Sequence, residues 1–188
     1  AIDACVRAGA KVVEIPPPDM NLLRWAHVAI ILSEMYSAMS AHIRQDRSRF
    51  GLDVRINLRL GQAFTASDLV HAMRHRSRLT LEWLELMKTV DAVVTPTTAC
   101  TAPPIPEDAL PDGDSNLPVS DALSRYVRIG NLTGFPGLSV PAGYDERGLP
   151  VGVQFQGRPY EEALLLRLGR VVEASVERRV PQVHVTVL

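Results

Sequence analysis

Between Leu22 and Met39 the chain reads LLRWAHVAIILSEMYSAM. So apolar a stretch has to be hidden, either in a bilayer or in a protein core. Arg24, His27 and Glu34 interrupt it, and its longest uninterrupted apolar run is Val28–Leu32. A membrane span needs about 20 predominantly apolar residues and tolerates a central carboxylate poorly. The stretch therefore reads as a core helix over Leu22–Arg44. Asp19, after Pro16, Pro17 and Pro18, stands where a cap belongs.

A helix buried that deeply needs other elements around it. The 188 residues amount to about one domain. With 46% hydrophobic and 22% charged residues, the composition excludes a disordered or low-complexity chain. The net charge of −1 carries no electrostatic footprint for nucleic acid. Cys5 and Cys100 are too far apart in sequence for a metal knuckle and too few for a disulfide framework. This favours a reducing, intracellular compartment, cytoplasmic or membrane-associated. No signal peptide is visible at the first residues.

Short β-branched runs alternate with helical periods. Ala1–Ala8 reads as a helix tail stopped by Gly9, and Lys11–Ile15 (KVVEI) as a strand. Residues 43–64 read as loop with a short helix, broken at Gly51 and Gly61. Thr65-Ala66-Ser67-Asp68 resembles a capping box and opens a helix reaching about Val90. Leu79, Trp83, Leu86 and Val90 form its buried stripe, with Arg74, Arg78, Glu82 and Glu85 opposite. Asp91–Thr95 is a second strand, stopped by Pro96. A loop over 96–119 follows, holding six prolines. Asp121–Ile129 suits a helix, and Gly137–Val140 a strand. In Pro150–Gln156 the residues Val151, Val153 and Phe155 alternate with Gly152, Gln154 and Gln156, which predicts a strand with one face buried. Glu161–Glu177 suits an amphipathic helix with Leu164, Leu168 and Val171 or Val172 inward. The class is α/β.

Chemistry is hard to find in these elements. His71 and His75 share a helix face, as two zinc ligands would. However, the zincin glutamate is missing, and Arg74, Arg76 and Arg78 would repel a cation. The run MRHRSR lacks aromatic interleaving and reads as a solvated face. No G-x-S-x-G elbow occurs. Cys100 has no local His or Asn partner and reads as an incidental thiol. The segment G-N-L-T-G-F-P-G over 130–137 is glycine-rich but runs into a strand, unlike a phosphate loop.

Four pieces in order carry a resemblance: DAVVTPTT (91–98), APPI (102–105), NLTGFPGLSVPAG (131–143) and GLPVGVQFQGRP (148–159). Together they resemble the C-terminal half of the amidase signature family, over essentially the whole chain. TAPPIPEDAL (101–110), DGDSN (112–116) and LSRYV (123–127) look most like its plant-type fatty acid amide hydrolase branch. The tRNA-dependent amidotransferase subunits match less well. Asn57 and Ser124 stand where that branch places an arginine and an aspartate, although Arg55 and Arg59 blur the first comparison.

The resemblance implies the C-terminal portion of one mixed-sheet amidase domain over residues 1–188, with helices on both faces of the sheet. It implies amide hydrolysis by a serine, assisted by a second serine and a lysine, without metal or organic cofactor. The family's Gly-Ser-Ser-Gly loop is absent: no serine here directly follows a glycine. Lys11 opens a strand and Lys88 ends a helix, so neither suits the catalytic role. No catalytic residue is carried over, and the chain alone is expected to be inactive. The implied substrates are N-acylethanolamines or other fatty acid amides. The positions matching the family's acyl pocket are Leu60, Phe64, Ser120, Asp121, Ser124 and Arg128. Asp121 and Arg128 are polar for an acyl channel, so either the substrate is polar or these side chains turn away.

Other readings stay open: a non-catalytic amidase-derived binding module, a short-acid amidase, or an amidotransferase subunit. The implied partner is a small-molecule amide and not nucleic acid. Membrane association through regions outside this chain, and a homodimer, are both compatible with the resemblance. Exposed strand edges and apolar helix faces would make the chain aggregate when expressed alone.

Overall fold

The computed structural model describes residues 1–104 and 117–179. The motif TAPPIPEDAL beyond residue 104, and all of DGDSN, lie outside the described residues. A short helix α1 (Ile2–Arg7) ends before Gly9, whose φ of +98° favours glycine.

The apolar stretch forms the helix α2 (Met20–Gln45), 26 residues long. Asp19 caps it, its Oδ1 accepting from the backbone N–H groups of Asn21 and Leu22 at 3.0 Å each. Leu23, Ala26, Ala29 and Ile30 enter a core with Leu79, Trp83, Met87, Ile129 and Leu132. The stretch is thus sheltered by protein. No helix among the described residues is long and apolar enough to cross a membrane.

The segment expected to be loop with a short helix holds a 3₁₀ turn (Arg47–Arg49) and a helix of 12 residues, α3 (Leu52–Ala63). Gly61 does not break it. A Cβ there would lie 2.2 Å from the Leu32 backbone oxygen, so Gly61 is where α3 and α2 touch backbone to backbone. The next helix, α4 (Ala66–Leu86), starts at the expected box. Thr65 N–H donates to Asp68 Oδ2 at 2.8 Å, and Asp68 N–H returns to Thr65 Oγ1 at 3.2 Å. Leu79 and Trp83 are buried as expected, with Leu86 and Val90 packed against the same core.

Three strands follow: β1 (Ala92–Pro96), β2 (Gly137–Tyr144) and β3 (Pro150–Gly157). They form an antiparallel sheet of order β1-β3-β2. Pro96 is accommodated inside β1 because β1 is an edge strand. The strand expected at Lys11–Ile15 is not formed. Val12 and Val13 are exposed, and no described strand runs beside them to take their hydrogen bonds.

Being central, β3 is buried on both faces from Val153 to Gly157, not on one. Paired residues share a face. Val94, Phe155 and Leu138 lie on one face, with Val153 and Val140 beside them. That face packs on α7 (Glu162–Glu173) and Cys5 of α1. In α7 the deepest side chains are Leu165 and Val172 rather than Leu164, and Gly169 lets the helix settle on Leu138 and Val140. The opposite face carries Val93, Thr95, Gln154, Gln156 and Ser139. Helices thus cover both faces, because α4 and the chain after residue 117 close the second one.

Arg158, from the GRP end of the last matching piece, ties these layers together. Its guanidinium donates to the Met87 carbonyl at 3.0 Å, to Asp91 at 3.1 Å and to Glu161 at 2.9 Å.

Candidate functional site

The expected helix over Asp121–Ile129 is two helices, α5 (Leu117–Ser124) and α6 (Arg128–Thr133). The break has a visible cause. The Tyr126 carbonyl accepts from the side-chain amides of both Gln154 and Gln156, each at 3.3 Å. Two glutamines two residues apart on β3 point to one face and claim one backbone oxygen. The chain turns there, and Arg128 starts the second helix.

This turn assembles a polar constellation. Arg128 is 4% exposed, yet charged. Its Nη2 lies 2.8 Å from Asp121 Oδ1 and donates to Ser124 Oγ at 2.8 Å. The Ser124 hydroxyl in turn donates to the Ser120 carbonyl. Two more guanidiniums reach the same carboxylate: Arg24 from α2 at 3.3 Å and Arg125 at 3.4 Å. Burial pulls the Asp121 pKa up, but Arg128, followed by Arg125 and Arg24, holds it below the ordinary value. Arg24 and Arg125 are half-exposed, whereas Arg128 is enclosed.

His27, one turn along α2 from Arg24, faces Asn131 of α6 across 3.4 Å. Its pKa is lowered, first by burial and then by the charge of Arg128. Several polar atoms of this region are buried without a hydrogen-bond partner: Arg128 Nε, Gln156 Oε1 and Thr95 Oγ1. Such atoms are costly, about 1–3 kcal/mol each, unless something satisfies them.

The structure brings Ser120, Asp121, Ser124 and Arg128 into this one constellation, Ser120 through its carbonyl. Asp121 and Arg128 face one another, Arg128 buried and Asp121 partly buried. Phe64, at the end of α3, packs against the core that holds Ile129 and Leu132 of α6. Leu60 stands apart, 46% exposed on α3 and outside both cores. Arg24 and His27 read in the sequence only as interruptions of an apolar stretch, and Asn131, Gln154 and Gln156 carry no site assignment there. The two glutamines were legible only as the presumed solvent side of an alternating strand.

Other groups are absorbed by structure. His75 packs edge-on against the Trp25 ring, centroids 5.8 Å apart. Arg76 donates to the Leu132 carbonyl at 2.7 Å, pinning α4 to α6. Lys88 is paired with Glu85 at the surface. A pocket of about 170 Å³ among Leu22, Leu23, His75, Leu79 and Leu132 includes none of the arginines on Asp121. Among the described residues no three His, Cys, Asp or Glu side chains are grouped to hold a metal. The constellation is a set of paired charges with several polar atoms left unpartnered. It holds no nucleophile paired with a base.

Comparison with known proteins adds to this geometry. Residues 1–166 match the family model described as Amidase. A fatty acid amide hydrolase of Arabidopsis thaliana is 44% identical over 166 residues, covering 88% of this chain and 27% of that protein. An amidase of Pseudomonas putida is 32% identical, covering 93% of this chain and 38% of that protein. A solved amidase structure superimposes with a TM-score of 0.80 at 26% identity, over 93% of this chain and 40% of the other. The chain therefore spans about a quarter of the length of the plant relative, 27%.

Proposed function

The chain belongs to the amidase signature family, and from that premise we propose that the protein containing it hydrolyses carboxylic amides of fatty acids, N-acylethanolamines among them. The observation that carries this reading is the 44% identity to a plant fatty acid amide hydrolase over 88% of the chain. Within that enzyme this chain supplies scaffold and acyl-pocket elements. Phe64, close to the α6 core, suits an acyl chain, and so does the exposed apolar side chain of Leu60.

The nucleophile comes from elsewhere in the protein. A serine is a weak nucleophile until a base takes its proton, and the oxyanion formed needs preorganised donors. The family meets both needs with a serine pair, a lysine and a Gly-Ser-Ser-Gly loop, and this chain has no glycine followed by serine. Alone it is expected to be inactive.

Reading the coding sequence upstream of Ala1, then assaying the encoded protein, tests this. We expect an in-frame lysine and a Gly-Ser-Ser-Gly loop, with long-chain amides hydrolysed faster than short-chain ones. A start codon just before Ala1, with no turnover of either, would leave the binding-module reading in its place.

A further inference from the structure

Past Pro96 the chain runs as a strap across the end of the sheet. Thr97 N–H donates to the Gly152 carbonyl of β3 at 3.0 Å, and its hydroxyl lies 2.7 Å from that of Ser139 on β2. Thr98 Oγ1 donates to the Cys100 carbonyl at 2.7 Å and closes a small turn within the strap. The Ala99 N–H donates to the Ala122 carbonyl of α5 at 3.0 Å. Thr101 then meets the turn between β2 and β3. Its hydroxyl donates to Asp145 Oδ2 at 2.9 Å and accepts from Arg147 Nη2 at 3.0 Å.

The far end of the strap is therefore fastened to a preformed anchor. Asp145 Oδ1 accepts from the N–H groups of Arg147 and Leu149 at 2.9 Å and 2.8 Å, which holds the turn closed. Oδ2 is left for the Thr101 hydroxyl and the Arg147 guanidinium. These donors, the Leu149 N–H first, hold the Asp145 carboxyl below its ordinary pKa. A threonine hydroxyl can give one hydrogen bond to a carboxylate while taking another from a guanidinium, and here it does both. A valine of the same shape does neither.

The strap matters because of what hangs on it. Helix α5 has only eight residues, too few to hold its own shape or place in water. On one side Asp121 ties it to Arg24 of α2. On the other, the Ala122 carbonyl ties it to the strap.

Resting on the amidase reading above, we propose that Thr101 is a positioning residue for acyl-chain selectivity. Clamped between Asp145 and Arg147, it fixes the strap. The strap fixes α5 through Ala99, and α5 bounds the far part of the acyl pocket. Thr101 itself touches neither substrate nor reacting atoms. A long acyl chain reaches α5 and a short one stops before it, so slack in the strap penalises the long chain alone.

Turnover and hydrogen exchange of the full-length protein test this together. Thr101→Val is expected to lower kcat/KM for N-dodecanoylethanolamine about fivefold, through KM, and that for N-butanoylethanolamine by less than about twofold, the scale of one net hydrogen bond. Thr101→Ser restores the wild-type values. Deuterium exchange at the Ala99 amide and along α5 should run about fivefold faster in the valine variant and return to normal in the serine one. Arg147→Met removes the donor side of the clamp and should act in the same direction; it carries the test if the valine variant fails to fold. An equal loss on both amides, a loss in kcat alone, or a serine variant as impaired as valine overturns the proposal. So does unchanged exchange at Ala99, which would leave the amidase reading standing. Faster exchange in a protein that hydrolyses neither amide would do the reverse: the clamp would stand, and the amidase reading would fall with its chain-length role.

Discussion

The two faces of the sheet use the same strands for different ends. Toward α7, Val94, Val153, Phe155 and Leu138 meet an apolar helix face with no polar group to satisfy. Toward α5 and α6, Gln154 and Gln156 present side-chain amides, both spent on one carbonyl, and Thr95 and Ser139 share their face of the sheet. Both faces of β3 are buried, so water does not explain the polar one. The difference teaches that burial and apolarity are separable. One face stabilises by area removed from water, and the other fixes a turn that a fully apolar face would leave free.

The comparison can be broken most forcefully on the apolar side. Phe155→Ala, at a site 4% exposed, should cost about 3–5 kcal/mol in denaturant unfolding of the full-length protein. A cost below 1 kcal/mol would mean the α7 face is not a tight core. Next comes the boundary between the two regimes. Arg128→Met removes the floor charge while Asp121 keeps two partners, and a loss of about 2–3 kcal/mol is expected, short of a full broken buried pair. A gain in stability would show that the ion pair is maintained for binding alone.

The polar face itself should respond weakly. Gln156→Met keeps the volume, gives up one 3.3 Å hydrogen bond and removes an unpartnered Oε1, so stability should change by less than about 1 kcal/mol. Activity of the same variant is expected to fall, because the turn before Arg128 loses one of its two holds. A variant that unfolds instead would make the polar face structural. The smallest effect concerns acid. The folded Asp121 pKa lies below its unfolded value of about 3.9, so its contribution is present above that pH and drains away as pH falls through the lower folded value. Asp121→Asn should flatten the stability curve below about pH 4 relative to wild type, measured by urea midpoints.

Much of the fold was legible in residues that act locally. Asp19 and the Thr65–Asp68 box mark helix starts by side-chain hydrogen bonds to nearby amides, and both occur where expected. The interrupted apolar stretch was legible as core. Most misreadings turn on partners far along the chain, although the choice of Leu164 over Leu165 is a local error of helix phase. Gly61 looks like a breaker until the Leu32 carbonyl is seen against it. KVVEI has strand composition but no neighbouring strand among the described residues. The helix over 121–129 fails because two glutamines about thirty residues on take its Tyr126 carbonyl, a competition that no local window contains. For the candidate site, the structure shows which of the named residues lie together, and Leu60 stands apart from the rest. Asp121, Ser124 and Arg128 came from resemblance, and the structure places them together. Arg24 joins them only through tertiary packing.

The Tyr126 oxygen, with two hydrogen bonds to β3, also ties the candidate site to the register of that strand. Slipping β3 by a single residue against its neighbours would turn both Gln154 and Gln156 toward α7 and withdraw both amides at once. The bend between α5 and α6 would then lose its anchor, and Arg128 its station beneath Asp121. The guanidinium cluster therefore depends on a sheet held in the correct register, and a strand with which it forms no ion pair sets its geometry.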